Sequence, residues 1–402
     1  MTVAQSAPST CAPATAPAAV PARLSQRHAL AAGLVVLAVS YTAFAVAALR
    51  TWHVGDHMFD LSVYRTGGHS VLHGLPVYGT PWYEGQWFLL FTYPPLAALV
   101  FTGPSLLPFH VNELLVPVAD LTLVPLVVYL TLGLLGRRDR IPRLAATCAL
   151  SGALVWLEPV ISTVTFGQVD LALLALVLAD LSRLDDRRTK GIGVGLAAGI
   201  KLTPGLFIVY LLLTGRRRAA AWATGTFAAS VALSFALLPT DSADYWGRAA
   251  WQITRVGYVG ESGNQSLAGL LARVTHTYGH PIPASYSVAA IMLILGLGLA
   301  VQAHSRGHDP LGILVCAITG LLICPISWTH HWVWWCPAII AVGHYAHRSA
   351  RADWWLWPAA LTLLCAAWPS SLAETLPWTW SPAEAPHGAW WHVPKSPGTP
   401  AV

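Results

Sequence analysis

From Ala29 to Leu49 the chain carries no charged residue, and apolar runs of similar length return along most of its 402 residues. About 20 consecutive apolar residues carry a helix across the hydrocarbon of a bilayer. Asp, Glu, Lys and Arg make up only 10% of the chain, against 55% hydrophobic residues. A soluble domain carries roughly 25% charged residues and would have to bury several helices of about 20 residues in one modest core. The composition excludes that, and predicts an all-α polytopic membrane protein.

Spans are expected over residues 29–49, 88–107, 113–135, 144–161, 166–181, 218–238, 285–303, 308–325, 330–347 and 353–373. The stretch 191–214 is also apolar, but Pro204-Gly205 interrupts it and basic clusters flank both ends. It reads as two short helices that dip into the membrane and return, which is tolerated where broken helices line a protein cavity. The total is about eleven or twelve spanning or re-entrant helices. Residues 1–28, rich at their start in Ala, Pro, Ser and Thr, read as a disordered cytosolic tail. Residues 29–373 form the membrane domain and 374–402 a tail rich in Trp and Pro.

The net charge of +5 is concentrated in short clusters between apolar runs: Arg23/Arg27, Arg137 to Arg143, Arg183 to Lys190, Arg216 to Arg218 and Arg348/Arg351. Such clusters mark cytosolic loops and are not a nucleic-acid footprint. The 6 Cys show no CxxC or Cys/His ligand spacing, so neither a disulfide framework nor a zinc site is expected. An N-terminus inside places Asp60 outside. Two full crossings at 88–107 and 113–135 would then leave Arg137 to Arg143 outside, against the charge rule. The Tyr93-Pro94-Pro95 break makes 88–107 the segment expected to re-enter. Four polar stretches then face away from the cytosol: the first external loop 50–87, the turn 158–168, the long loop 239–284, and the turn Ser327 to His331. They hold most of the unusual side chains.

Asp60, in Phe59-Asp60-Leu61, is an acid among apolar neighbours just past a membrane exit. It is either a desolvated general base or a helix cap, with Asp56 as its competitor. Lys201, inside an apolar run, either binds an anion such as phosphate or snorkels to the headgroups. His330 and His331 lie about 100° apart on a helix, a poor metal pair. One of them can face a cavity and bind an anionic leaving group or a sugar hydroxyl. Glu158, Gln168 and Asp170 point polar groups into the membrane domain. Arg248, Arg255, Glu261, Asn264 and Gln265 lie in the long loop, with amides suited to neutral hydroxyls. Among 19 Trp, Trp328, Trp332, Trp334 and Trp335 form either an aromatic belt or a sugar-binding wall.

Six motifs in order carry a resemblance: Asp60-Leu61-x-Val63-Tyr64, Phe91-x-Tyr93-Pro94-Pro95-Leu96, Gly167-Gln168-x-Asp170, Gly199-x-Lys201-x-x-Pro204, Gly263-Asn264-Gln265-Ser266 and Ser327-Trp328-x-His330-His331. Over residues 29–347 the chain resembles the actinobacterial integral-membrane mannosyltransferases that depend on polyprenyl-phosphate mannose. The resemblance implies a type C glycosyltransferase fold in the plasma membrane, with an active site built by loops on the periplasmic face. It implies inverting transfer of mannose to a glycolipid acceptor, a phosphatidylinositol mannoside, in α-(1→2) linkage. Asp60 falls on the catalytic acid; Lys201, His330, His331 and Arg255 are the expected ligands of the donor phosphate. Tyr64, Glu158, Gln168, Asn264, Gln265, Trp328 and Trp332 are expected around sugar and acceptor. No cofactor is implied, and the lack of an acidic cage predicts independence of metal. Two rival readings are an arabinofuranosyltransferase acting on a cell-wall polymer and a transporter for a lipid-linked sugar. The second commonly shows internal repeats, which this chain lacks.

Overall fold

The structure, a computed structural model, describes residues 20–51, 58–84, 87–277, 280–349 and 351–366. Asp56, Cys11 and the tail 374–402 lie outside them. Sixteen α-helices follow in order. They are α1 (Val20–Thr51), α2 (Phe59–His73), α3 (Pro95–Ser105), α4 (Phe109–Leu134), α5 (Arg140–Leu154), α6 (Glu158–Phe166), α7 (Asp170–Leu181), α8 (Ile192–Ile200), α9 (Leu206–Leu213), α10 (Arg217–Leu237), α11 (Pro239–Gly247), α12 (Leu267–Val274), α13 (Pro283–Ser305), α14 (Asp309–Ile323), α15 (Trp335–Ser349) and α16 (Leu356–Ala366). Two short antiparallel strands, β1 (Pro81–Glu84) and β2 (Trp87–Leu90), sit between α2 and α3.

Among the described residues, four helices are long and apolar enough to cross a membrane: Ser25–Arg50, Phe109–Leu134, Arg217–Leu237 and Pro283–Ser305. Helices α5 and α6 make a further candidate crossing, bent by 77°. Helix α1 starts at Val20, so the helix reaches into the stretch expected to be a tail. Ala, Arg, Leu and Gln in that stretch are good helix formers.

The expected crossing at 88–107 does not form as one helix. Residues 87–90 are strand, Pro94 is extended (φ −54°, ψ 156°), and α3 has 11 residues. At 1.5 Å per residue it is about 16 Å long, roughly half of a hydrocarbon core. Between Asp60 and Arg137–Arg143, α4 is then the one described helix long and apolar enough to cross, as the charge rule requires.

The stretch 191–214 is a hairpin. One carboxylate, Asp185, binds Lys190 Nζ (2.6 Å) before α8 and Arg216 Nε (3.2 Å) after α9, so both ends lie at the same level. Helix α8 reaches its tip packed tightly on α10. A Cβ at Gly191, Gly195 or Gly199 would stand 2.0 Å from Ala219 O, 2.3 Å from Ala223 O and 2.4 Å from Ser230 Oγ. Glycine at every fourth position lets the two backbones touch, the usual device where no hydrophobic effect drives helices together in lipid. Lys201 stands at the tip, where α8 ends in extended backbone (φ −143°, ψ 130°). The largest core cluster packs α4 (Val124, Val127, Val128) on α7 (Leu171, Leu174, Leu178) and α15 (Ile340, Ala341). It holds Asp170, the first residue of α7, against the hairpin tip.

Candidate active site

Four chain breaks converge on one buried cluster. Asp60 enters in the first turn of α2, held by Met58, which takes a left-handed conformation (φ 64°) and donates its N–H to Thr165 O at 2.8 Å. Tyr93 comes from the break before α3. Gln168 and Asp170 come from the turn between α6 and α7, where Gly167 also has positive φ (69°). His330 and His331 come from the 3-10 helix Thr329–Trp334.

Gln168 joins them. Its Oε1 accepts from the Tyr64 hydroxyl, which in turn accepts from the Tyr93 hydroxyl at 2.7 Å, and Tyr93 Oη also lies 3.3 Å from Oε1. Its Nε2 lies 3.0 Å from His330 Nε2, and its amide also bonds Asp60. A primary amide has two N–H groups, and Gln168 spends them on His330 and Asp60. With Gln168 Nε2 donating, His330 Nε2 accepts and its proton sits on Nδ1, which is buried without a partner.

Lys201 does not snorkel. It donates to Asp170 Oδ1 at 2.6 Å and lies 5.4 Å from the centroid of the Tyr93 ring. A cavity beside this pair is lined at its polar end by Asp170, Lys201, Thr203 and His331, and below by Phe207, Leu321 and Trp334. Asp60 is half-buried and within electrostatic reach of both Lys201 and Asp170. Burial pushes its carboxyl up to about 6, against the opposing pull of the Gln168 hydrogen bond and the Lys201 charge. A carboxyl in that range is ionised at neutral pH yet basic enough to accept a proton.

The two histidines meet the site together. Their rings are 4.7 Å apart and nearly perpendicular (83°), His330 facing Gln168 and His331 the cavity. One donor atom each from Asp170, His330 and His331 lies within 4.8 Å of the others, a spacing that would suit a cation. Lys201 holds one oxygen of that carboxylate, Oδ1, while Oδ2 is buried without a partner, and the ammonium repels a second positive charge there.

Other expected site residues stand differently. Asn264 spends its amide on backbone: Nδ2 donates to Val259 O (2.8 Å) and Pro325 O (3.0 Å), and Oδ1 accepts from Ser266 N (3.1 Å) and Ser327 N (2.9 Å). No valence is left for a sugar, and its role is to clasp the long loop to the chain before His330. Gln265 gives Nε2 to Ser262 O at 2.6 Å. Arg255 binds the carbonyls of Tyr78 (2.8 Å) and Phe91 (3.3 Å) rather than lining the Lys201 cavity. Its buried Nε has no partner. Trp332 is buried and stacked on Trp335 (5.7 Å); the cavity wall belongs to Trp334 instead. The Trp328 ring lies against Gly257 and Gly263. Glu158 is buried at the far end of α6 with Ser162 and Thr329 as partners, about one helix length from Gln168. The pairing of Tyr93 with Tyr64 was not foreseen; its only sequence signal is the Tyr-Pro-Pro break in an apolar run.

The glycosyltransferase family 87 model matches residues 91–325. That match runs from Phe91 to the turn that precedes His330, taking in Tyr93, Gln168, Asp170 and Lys201. The chain belongs to glycosyltransferase family 87. A polyprenol-phosphate-mannose-dependent α-(1→2)-phosphatidylinositol mannoside mannosyltransferase of Mycobacterium tuberculosis is 32% identical over 357 residues, covering 83% of this chain and 79% of the relative. A polyprenol-phosphate-mannose-dependent α-(1→2)-phosphatidylinositol pentamannoside mannosyltransferase of Mycolicibacterium smegmatis is 35% identical over 336 residues, covering 81% and 79%. No solved structure matches the chain. As a family 87 glycosyltransferase it is a membrane enzyme of the type C fold, and its apolar helices agree with that. The cluster thus gathers the Asp60 carboxyl, the Lys201–Asp170 pair and two imidazoles among aromatic rings.

Proposed function

We propose that this enzyme transfers mannose from polyprenyl-phosphate mannose to a phosphatidylinositol mannoside, forming an α-(1→2) linkage on the periplasmic face of the plasma membrane. Two mycobacterial relatives bear that donor and acceptor class in their names. The observation that carries the mechanism is the Gln168 hub, which holds Asp60 beside the Lys201–Asp170 pair.

The acceptor's 2-hydroxyl gives its proton to the Asp60 carboxylate as its oxygen attacks the anomeric carbon. The bond from that carbon to the phosphate oxygen breaks on the opposite face. The polyprenyl phosphate leaves as an anion, stabilised by Lys201 and by the imidazoles of His330 and His331. A phosphate leaves as an anion and needs no protonating acid, so one carboxylate, the base, does the work that glycosidases divide between two. The donor chain lies in the bilayer and the apolar end of the Lys201 cavity receives its first units. The chemistry needs neither metal nor cofactor, since Lys201 supplies the positive charge.

The test is Asp60→Asn in membranes supplied with polyprenyl-phosphate mannose and a phosphatidylinositol mannoside. Loss of a general base costs about 10²–10⁴-fold in rate, and a well-folded variant with near-normal turnover would overturn the assignment. Chelator should leave wild-type activity intact.

A further inference from the structure

The cluster accounts for the donor and for the proton, but it leaves the acceptor sugar without a recognised partner. The segment from Arg255 to Gln265 of the long loop is tied at both ends to stretches that lead into the cluster. At one end Arg255 donates to Tyr78 O at 2.8 Å and Phe91 O at 3.3 Å, two residues before Tyr93. At the other, Gln265 N donates to Ser327 O at 2.8 Å and Asn264 Oδ1 accepts from Ser327 N at 2.9 Å, three residues before His330. The segment thus bridges the two stretches that carry Tyr93 and His330 into the site.

Glu261 stands between these anchors, half-buried. Its Oε1 accepts from Tyr258 N at 3.4 Å. Arg273 on α12 does not pair with it, giving Nη1 to the backbone oxygens of Glu261 (2.8 Å) and Asn264 (2.9 Å). Among the described residues no cation pairs with this carboxylate. A Cβ placed on Gly257 would lie 2.7 Å from Trp328 Cζ2 and 3.8 Å from Glu261 Oε1, so indole and carboxyl flank one bare stretch of backbone. Burial pushes the Glu261 carboxyl up to about 7, and hydroxyls that donate to it would hold it ionised. An acceptor-only carboxylate beside an indole suits a polyol: two hydroxyls donate to one carboxylate, while the ring C–H groups rest on the aromatic.

We propose that Glu261 recognises the acceptor, its carboxylate taking hydrogen bonds from hydroxyls of the acceptor's terminal sugar beside Trp328. This rests on the reading of the acceptor as a mannosylated glycolipid. Asp60 handles the reacting hydroxyl, and Glu261 orients the sugar that bears it.

The experiment is steady-state kinetics of the full-length enzyme in membranes, varying phosphatidylinositol mannoside and polyprenyl-phosphate mannose separately. Glu261→Gln should raise the acceptor KM about tenfold or more, the effect of losing hydrogen bonds to a charged group, and leave donor KM and kcat within about twofold. Glu261→Asp, which keeps the charge but retracts it, should recover part of the acceptor affinity. An unchanged acceptor KM overturns the proposal. So does a parallel loss in kcat and both KM values, which marks a loop that has merely shifted. If Glu261→Gln does not accumulate, acceptors lacking one ring hydroxyl decide: equal KM values for wild type and Glu261→Asp with every deoxy analogue overturn it. A wild-type enzyme that transfers no mannose refutes the function instead, and the two failures are distinguishable.

Discussion

At the scale of single residues, the site turns on one uncharged side chain. Gln168 fixes Asp60, Tyr64, Tyr93 and His330 at once, so it sets both the position and the acidity of the base. Asp60 accepts a proton only when ionised. Its carboxyl is raised to about 6, so kcat at saturating donor and acceptor should fall as pH drops through about 6 and level off above it, in rates measured from pH 5 to 8. The Gln168 hydrogen bond pulls that carboxyl down. Gln168→Leu should therefore move the acid limb to higher pH, besides lowering kcat; an acid limb left in place would show that another group titrates there. Asp60, Lys201 and Gln168 were legible in the sequence because each is a polar group stranded in apolar surroundings. Asn264 was not: an amide's identity does not say whether its partners are sugar hydroxyls or the backbone of Val259, Pro325, Ser266 and Ser327. Trp332 and Trp334 are two positions apart, and only the kink at Trp332 (φ −82°, ψ 19°) decides which one reaches the cavity.

At the scale of elements, the hairpin of α8 and α9 carries Lys201 from a basic, ion-paired base to the Asp170 cluster at its tip. Flanking arginines and the Pro204-Gly205 break announced the hairpin. What holds it was hidden, since Asp185 pairing with both Lys190 and Arg216 and Arg216 pairing with Asp309 at 2.5 Å are contacts between distant positions. The close face of α8 makes a prediction. Gly195→Ala puts a methyl 2.3 Å from Ala223 O, and overpacking of this kind costs about 1–3 kcal/mol. It also pushes the tip that carries Lys201, so thermal stability and turnover should fall together. Gly225→Ala on α10 is the control, because a Cβ there meets nothing within 4 Å. Replacing a helical glycine with alanine in open space is neutral or gains about 0.5–1 kcal/mol. Equal melting midpoints for the two variants would show that the α8–α10 contact is looser than described.

At the scale of the whole molecule, the placement of charge and the placement of chemistry agree only if 88–107 fails to cross. The sequence held that conflict openly, and proline at residues 94 and 95 named the segment that breaks, though neither the strand pair β1–β2 nor the 77° bend between α5 and α6 has a pattern a single sequence reveals. With α3 confined to one side, Asp60 and the long loop share a face, and Arg137–Arg143, Arg183–Lys190 and Arg216–Arg218 share the other. That division can be tested without reference to catalysis. Single cysteines are placed at exposed His73, Arg138 and Arg188 in a background cleared of the 6 native cysteines, then treated in intact cells with a charged maleimide that does not cross the membrane. His73→Cys should label from outside. Arg138→Cys and Arg188→Cys should label only after the membrane is opened. Labelling of Arg138→Cys in intact cells would mean that the α3 region crosses after all. Asp60 and the basic loop would then lie on one side, against the charge rule.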